Sequence, residues 1–255
     1  MSYSDYPVVL SPSLPTLVDL QHEVREYFGW DESDDLHSAQ EMILRVESST
    51  VEKWSRHNRA VSLSRLFRRF VIRNSKIAIL GAAIEPEELV EILSEPILIV
   101  AADGAAGVIS EIPETLSEKA WSRVACLVSD ADGGEGTFQA VRRGIPVILH
   151  AHGDNRLEWA SLLELAENQV IPPELVLTHQ ITDQIPGMHN PGGFTDGDRA
   201  ACFLTSLGVK NNRIILLGTR SDVIGRWSGN TQEKTKIEKL QWMRRVLSIQ
   251  GLWED

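Results

Sequence analysis

Cysteine, aromatic residues and positive charge are all scarce in this chain of 255 residues. Two cysteines occur, Cys126 and Cys202, both in apolar surroundings and neither in a CxxC pair. Their placement disfavours a disulfide and predicts buried free thiols in a reducing cytoplasm. Lysine and arginine total 25 against 36 aspartate and glutamate, a formal net charge of −11. Nonspecific nucleic-acid binding needs a basic face, so no nucleic-acid partner is expected. A nucleotide remains possible, because a divalent cation and a few local bases can neutralise a triphosphate. No run approaches the ~20 apolar residues that span a bilayer. The first residues, Met1-Ser2-Tyr3-Ser4-Asp5, carry neither a basic stretch nor an apolar core. A cytoplasmic protein with no membrane partner is expected. GxxxxGK[ST], a GxGxxG at the first strand turn and GxSxG are absent too, which lowers P-loop kinases, nicotinamide dehydrogenases and α/β-hydrolases.

What is present changes character near Asn74. Helical spacing of apolar residues marks 17–28, 36–47 and 51–72, the last a long helix or two with Arg65, Arg68 and Arg69. Residues 1–74 read as an N-terminal helical cap, and 75–255 as an α/β catalytic domain. From Lys76 onward, short apolar runs at 76–80, 97–101, 123–128, 146–150, 175–178 and 213–217 alternate with helical stretches at 86–93, 116–121, 136–143, 157–169 and 198–207. A long helix over 231–249, carrying Lys234, Lys236 and Lys239, closes the chain. Non-alternating strands separated by helices predict a mostly parallel, Rossmann-like sheet with helices on both faces. Ligands of such sheets bind outside the carboxyl ends of the strands.

Four aspartate-bearing loops fall there or at helix starts: Ala102-Asp103-Gly104, Ser129-Asp130-Ala131-Asp132-Gly133-Gly134, His150-Ala151-His152-Gly153-Asp154-Asn155 and Gly192-Gly193-Phe194-Thr195-Asp196-Gly197-Asp198-Arg199. Asp130 and Asp132, two apart at a strand end, can share or bracket Mg²⁺, which takes one or two carboxylates beside phosphate oxygens and water. The competing reading is a turn with capping aspartates. His150 and His152 with Asp154 suit zinc, but no further ligand has a recognisable spacing. Asp154 reads better as a Mg²⁺ or substrate carboxylate, with the histidines shaping the pocket. Gly192 and Gly193 before a helix start make an anion site, where Asp196 and Asp198 favour a metal-bridged phosphate. Asp103 and Gly104 begin a strand-end ligand loop. Thr178-His179-Gln180 follows another strand and could meet a heterocycle or pack internally. Lys234 or Lys236 could reach a triphosphate.

SDADG, HAHGDN and GGFTDGDRA, in that order, resemble the archaeal 6-hydroxymethyl-7,8-dihydropterin pyrophosphokinases, distantly similar to the thiamine pyrophosphokinases. The resemblance runs from Lys76 to the C-terminus. It implies transfer of the β,γ-diphosphate of ATP to a reduced pterin, with release of AMP, in tetrahydrofolate or methanopterin-type biosynthesis. By the same resemblance, Asp130, Asp132 and Asp154 are catalytic Mg²⁺ ligands. Asp103, Asp196 and Asp198 are nearby substrate or metal contacts, and Asn155, Gly193, Thr195 and Arg199 contact phosphate. Family analogy also suggests a homodimer. The rivals are a thiamine pyrophosphokinase-like enzyme, a nucleotide-sugar glycosyltransferase of the related flagellin-modification group, and a non-catalytic nucleotide sensor.

Overall fold

The computed structural model describes residues 9–229 and 232–253. The extreme N-terminal residues and the expected helix start at residue 231 lie outside them. Six strands form one sheet: β1 (Ile77–Leu80), β2 (Leu98–Ala102), β3 (Val124–Ser129), β4 (Val147–His150), β5 (Leu175–Thr178) and β6 (Ile214–Leu217). Every pairing is parallel, in the spatial order β5-β4-β3-β2-β1-β6. The chain steps outward from β1 to β5, then returns across the sheet to place β6 against β1. Such a reversal opens a crevice at the carboxyl ends of the strands around β1.

Alternate strand residues enter two apolar cores, one on each face. Leu80, Ala101, Leu127 and Leu149 point into one, with α4 (Pro86–Ile92), α5 (Glu114–Arg123), α6 (Gly134–Arg142) and α7 (Arg156–Glu167). Ile79, Val100, Val128 and Ile148 point into the other, with α8 (Asp196–Ser206) and α9 (Glu233–Ile249). The expected mostly parallel α/β sheet with helices on both faces is the observed fold.

The N-terminal helical region is α1 (Thr16–Phe28), α2 (Glu32–Glu47) and α3 (Arg56–Phe67), the last continued by a π-helical turn, Arg68–Ile72. Leu17 and Leu20 of α1 pack in a smaller third cluster with Cys202 and Val246. Met42 and Val46 of α2 join the first, and Leu63 and Leu66 of α3 the second. Trp54 is fully buried between them and donates its indole N–H to the Pro173 carbonyl at 2.9 Å, just before β5. Asp31 caps α2 by accepting from the Ser33 N–H at 2.8 Å, which fixes the turn that brings Trp30 and Asp34 to the crevice. No helix among the described residues is long and apolar enough to cross a membrane.

Candidate active site

A cavity of about 370 Å³ lies over the carboxyl ends of the strands. Asp103, Asp130, Asp132, Asp154, Thr195 and Asp196 all line it. Three strand-end or helix-start segments from different parts of the chain thus meet at one place. Asp103 follows β2, Asp130 follows β3, and Asp196 begins α8. Their carboxylate oxygens lie within 4.8 Å of one another, the one grouping among the described residues arranged to hold a cation.

Each of the three is held by its own supports. The Asp103 Oδ1 accepts from the hydroxyls of Ser129 and, at 2.8 Å, Thr137. Its backbone adopts φ 47°, and Ala131, between Asp130 and Asp132, adopts φ 79°. Left-handed backbone at a non-glycine residue is strained, and here it turns the two loops towards each other. Asp130 lies 3.3 Å from His152 Nε2. Asp196 accepts from the Arg199 guanidinium at 2.9 Å, and the same guanidinium donates to the Phe194 carbonyl at 2.8 Å.

The electrostatics are those of crowded carboxylates. Burial, then the charges of Asp196, Asp130 and Asp132, push the Asp103 carboxyl well up. Burial and Asp130 push Asp196 up to about 8 against the pull of Arg199. Burial also opposes the charge on Asp130, but hydrogen bonding and charge from His152, with Arg199 and His150, hold that carboxyl well below the usual range. His152 loses to burial and gains more from Asp130 and Asp154, ending at about 9. A site in which a charged Asp130 raises both Asp103 and Asp196 favours positive charge between them.

The remaining sequence-predicted residues divide by position. Asp132 is on the cavity wall beside Gly229, outside the converging trio. Asp154 is also outside it, with its side chain 84% exposed and paired to His152 Nδ1 at 2.7 Å. Asn155, Gly104, Gly193, Asp198 and Arg199 lie behind the cavity lining. Asn155 ties the loops, donating to the carbonyls of Asp130 at 2.9 Å and His150 at 2.8 Å. A β-carbon at Gly104 would come within 2.5 Å of the Trp227 carbonyl oxygen, so glycine there lets the loop of Trp227 cross closely. Gly193 has φ 93°, and a β-carbon would meet the Arg199 Cα at 2.6 Å. The Asp198 carboxylate accepts from the N–H groups of Phe194 at 2.8 Å and Thr195 at 2.6 Å, completing a capping box on α8. His150 is turned to Thr178 Oγ1 at 3.0 Å and Gln180 Oε1 at 3.3 Å, away from the trio.

Several lining residues carry no signal in the motifs. Gly81 and Ala82 follow β1, Gly218 and Thr219 follow β6, and Trp30, Asp34 and Asp35 come from the α1–α2 turn and the first turn of α2. Lys236, Lys239, Leu240 and Met243 line the cavity from one face of α9, at spacings a helix brings together. Lys236 and Lys239 therefore face the site, while Lys234 is not part of its lining. Gln180 also lines it.

Fold and site together define an α/β protein with a cluster of three carboxylates at the strand ends, placed where they could hold a cation. The chain is similar to the 6-hydroxymethyl-7,8-dihydropterin pyrophosphokinase of Methanothermobacter thermautotrophicus, 35% identical over 140 residues, which is 53% of this chain and 52% of that protein. The protein of that name from Pyrococcus furiosus is 31% identical over 155 residues, 58% and 59% of the two chains. The one from Methanocaldococcus jannaschii is 27% identical over 247 residues, 89% and 91%. The first two alignments thus span between half and three fifths of those relatives, and the third nearly all of its relative. The resemblance expected from the motifs is borne out. No family model matches the chain.

Proposed function

We propose that this chain is a 6-hydroxymethyl-7,8-dihydropterin pyrophosphokinase. ATP and the pterin are its substrates, and AMP and the pterin diphosphate its products. The convergence of Asp103, Asp130 and Asp196 in the cavity carries this reading, with Asp130 and Asp196 lying in the SDADG and GGFTDGDRA stretches that resemble the archaeal enzymes. The pterin hydroxyl oxygen forms a bond to the β-phosphorus, and the bond from that phosphorus to the oxygen retained by AMP breaks. The hydroxyl proton passes to solvent or to a carboxylate of the cavity. Asp130, Asp103 and Asp196 would hold Mg²⁺, with Asp132 and Asp154 on the wall beside it. Bound there, the ion supplies positive charge to the phosphate oxygens. All-oxygen donors suit this hard cation. Thr195 and Lys236 border the phosphates, and Arg199 and Asn155 keep the acidic loops in place. The product serves tetrahydrofolate or methanopterin-type biosynthesis.

Incubation with ATP, Mg²⁺ and 6-hydroxymethyl-7,8-dihydropterin, followed by chromatography, should give AMP and pterin diphosphate in equal amounts. EDTA should stop both. Intact ATP in the presence of the pterin and Mg²⁺ would reject the proposal.

A further inference from the structure

The cavity has two unlike walls on either side of the carboxylate trio. One wall is built from residues 81–83, 218–220 and 225–229, where β1 and β6 end; it supplies Arg220 and no acid of its own, and Asp132 meets it beside Gly229. Backbones cross closely there: a β-carbon at Gly225 would lie 2.1 Å from the Ala82 carbonyl oxygen. The other wall is aromatic and acidic. Trp30 and Phe194 line it, with Phe28 stacked on Trp30 at 4.6 Å and 15° and on Phe194 at 6.1 Å and 23°. Trp30 is 40% exposed.

Three aspartates follow Trp30, and they differ in what they touch. Asp31 caps α2. Asp35 is buried and already accepts from the Gly153 N–H at 2.8 Å and the Gln180 amide at 2.9 Å, with Arg25 at 3.5 Å. Asp34 is exposed, lines the cavity, and has no hydrogen bond or ion pair to its carboxylate among the described residues. Lys239, with its ammonium 5.2 Å from the Trp30 ring centre, is the nearby cation.

We infer that the Trp30–Phe194 wall seats the acceptor's ring and that Asp34 pairs with its amino and ring N–H edge, leaving the glycine-rich wall between β1 and β6 for the nucleotide. The inference rests on the proposed function and deepens it. A reduced pterin has a flat ring for stacking and two adjacent donors that match one carboxylate. Adenine, the base of the proposed donor, has no such pair of donors, and a triphosphate is repelled by an acidic turn. The wall between β1 and β6 has the opposite fit, with Arg220 and with small residues that admit a flat base at the reversal of strand order. Placing the two substrates on opposite sides of the trio also suits in-line displacement, in which nucleophile and leaving group face each other across phosphorus.

Calorimetry with the full chain separates the two sites, using 6-hydroxymethyl-7,8-dihydropterin and MgATP as independent probes. Asp34→Asn keeps the side-chain shape, and its exposed position leaves the core intact. It should weaken pterin binding about tenfold while MgATP binding stays within about twofold. Trp30→Ala should do the same, and Trp30→Phe should restore most of the pterin affinity. In steady state the loss should appear in the pterin KM more than in kcat. Weakened MgATP binding with pterin affinity unchanged would reverse the two walls and overturn the inference, as would no change in either. A wild-type chain that neither binds the pterin nor forms AMP with it would instead reject the function, and the inference with it.

Discussion

At the scale of single residues, three carboxylates within 4.8 Å repel one another, and the chain keeps them together with fixed partners: Ser129 and Thr137 on Asp103, His152 by Asp130, Arg199 on Asp196. Replacing one by its amide relieves repulsion and weakens the proposed cation site. Asp103→Asn can still accept from Ser129 and Thr137 through its carbonyl oxygen. Its melting temperature without metal should equal or exceed that of the wild type, while turnover falls by about a hundredfold or more. Mg²⁺ should raise the wild-type melting temperature and leave the variant's nearly unchanged, as scanning calorimetry with and without EDTA will read. The sequence marks these aspartates as strand-end acids but does not show which of them meet. Convergence depends on loops distant in the chain. Asp132, one residue past the strained Ala131, looks equivalent to Asp130 on paper but lies at the edge of the trio, beside Gly229. Asp198 reads from the resemblance as a substrate or metal contact, and that reading makes no use of Thr195-x-x-Asp198, an arrangement akin to the capping box with an aspartate in the usual glutamate position.

At the scale of elements, α8 links packing to chemistry. Its first turn carries Asp196, and its start is fixed by Asp198 and by the close approach of Gly193. Asp198→Ala should cost about 1–2 kcal/mol as a lost cap. Gly193→Ala should cost at least as much through backbone strain and the clash with Arg199. Urea unfolding measures both, and an unchanged midpoint for either would show that the start of α8 is held by something else. Strands were the most legible elements, because short apolar runs at the edge of glycine-rich loops have few alternatives. The expected helix over 51–72 is broken into a 3₁₀ turn at Glu52–Trp54, α3 and the π-helical turn. Ser55 explains the first break: it caps α3 through the Asn58 N–H at 3.3 Å. The 3₁₀ segment Asp103–Glu111 had no helical signature beyond its small residues, since the close approach of Trp227 to Gly104 and Gly107 shapes it from outside.

At the scale of the whole molecule, buried histidines add to the loss of stability in acid. His179 and His189 are held down to about 4 chiefly by burial, with His189 opposing charge on His179 and Arg59 opposing it on His189. Both are neutral when folded and free to take a proton near pH 6.5 when unfolded. Their contribution is complete above that pH and is lost as the pH falls towards 4. Each steepens the loss by up to about 1.4 kcal/mol per pH unit. Urea titrations from pH 7 to pH 4.5 should show this slope, and it should shrink in His179→Gln.

The return of the chain from β5 to β1 has a consequence for synthesis. β1 is made early, but its second neighbour, pairing Ile77 with Ile214, arrives only after all the other strands. A nascent chain therefore carries an unpaired central edge, and the crevice lacks one side until β6 and α9 have left the ribosome. Open edges of this kind invite pairing with other chains, so chaperone demand should concentrate in the last stretch of translation. Chains stalled before residue 214 should be more readily cleaved by protease in the loops of Asp103 and Asp130 than chains released whole, and equal resistance would show that the earlier strands close the site alone.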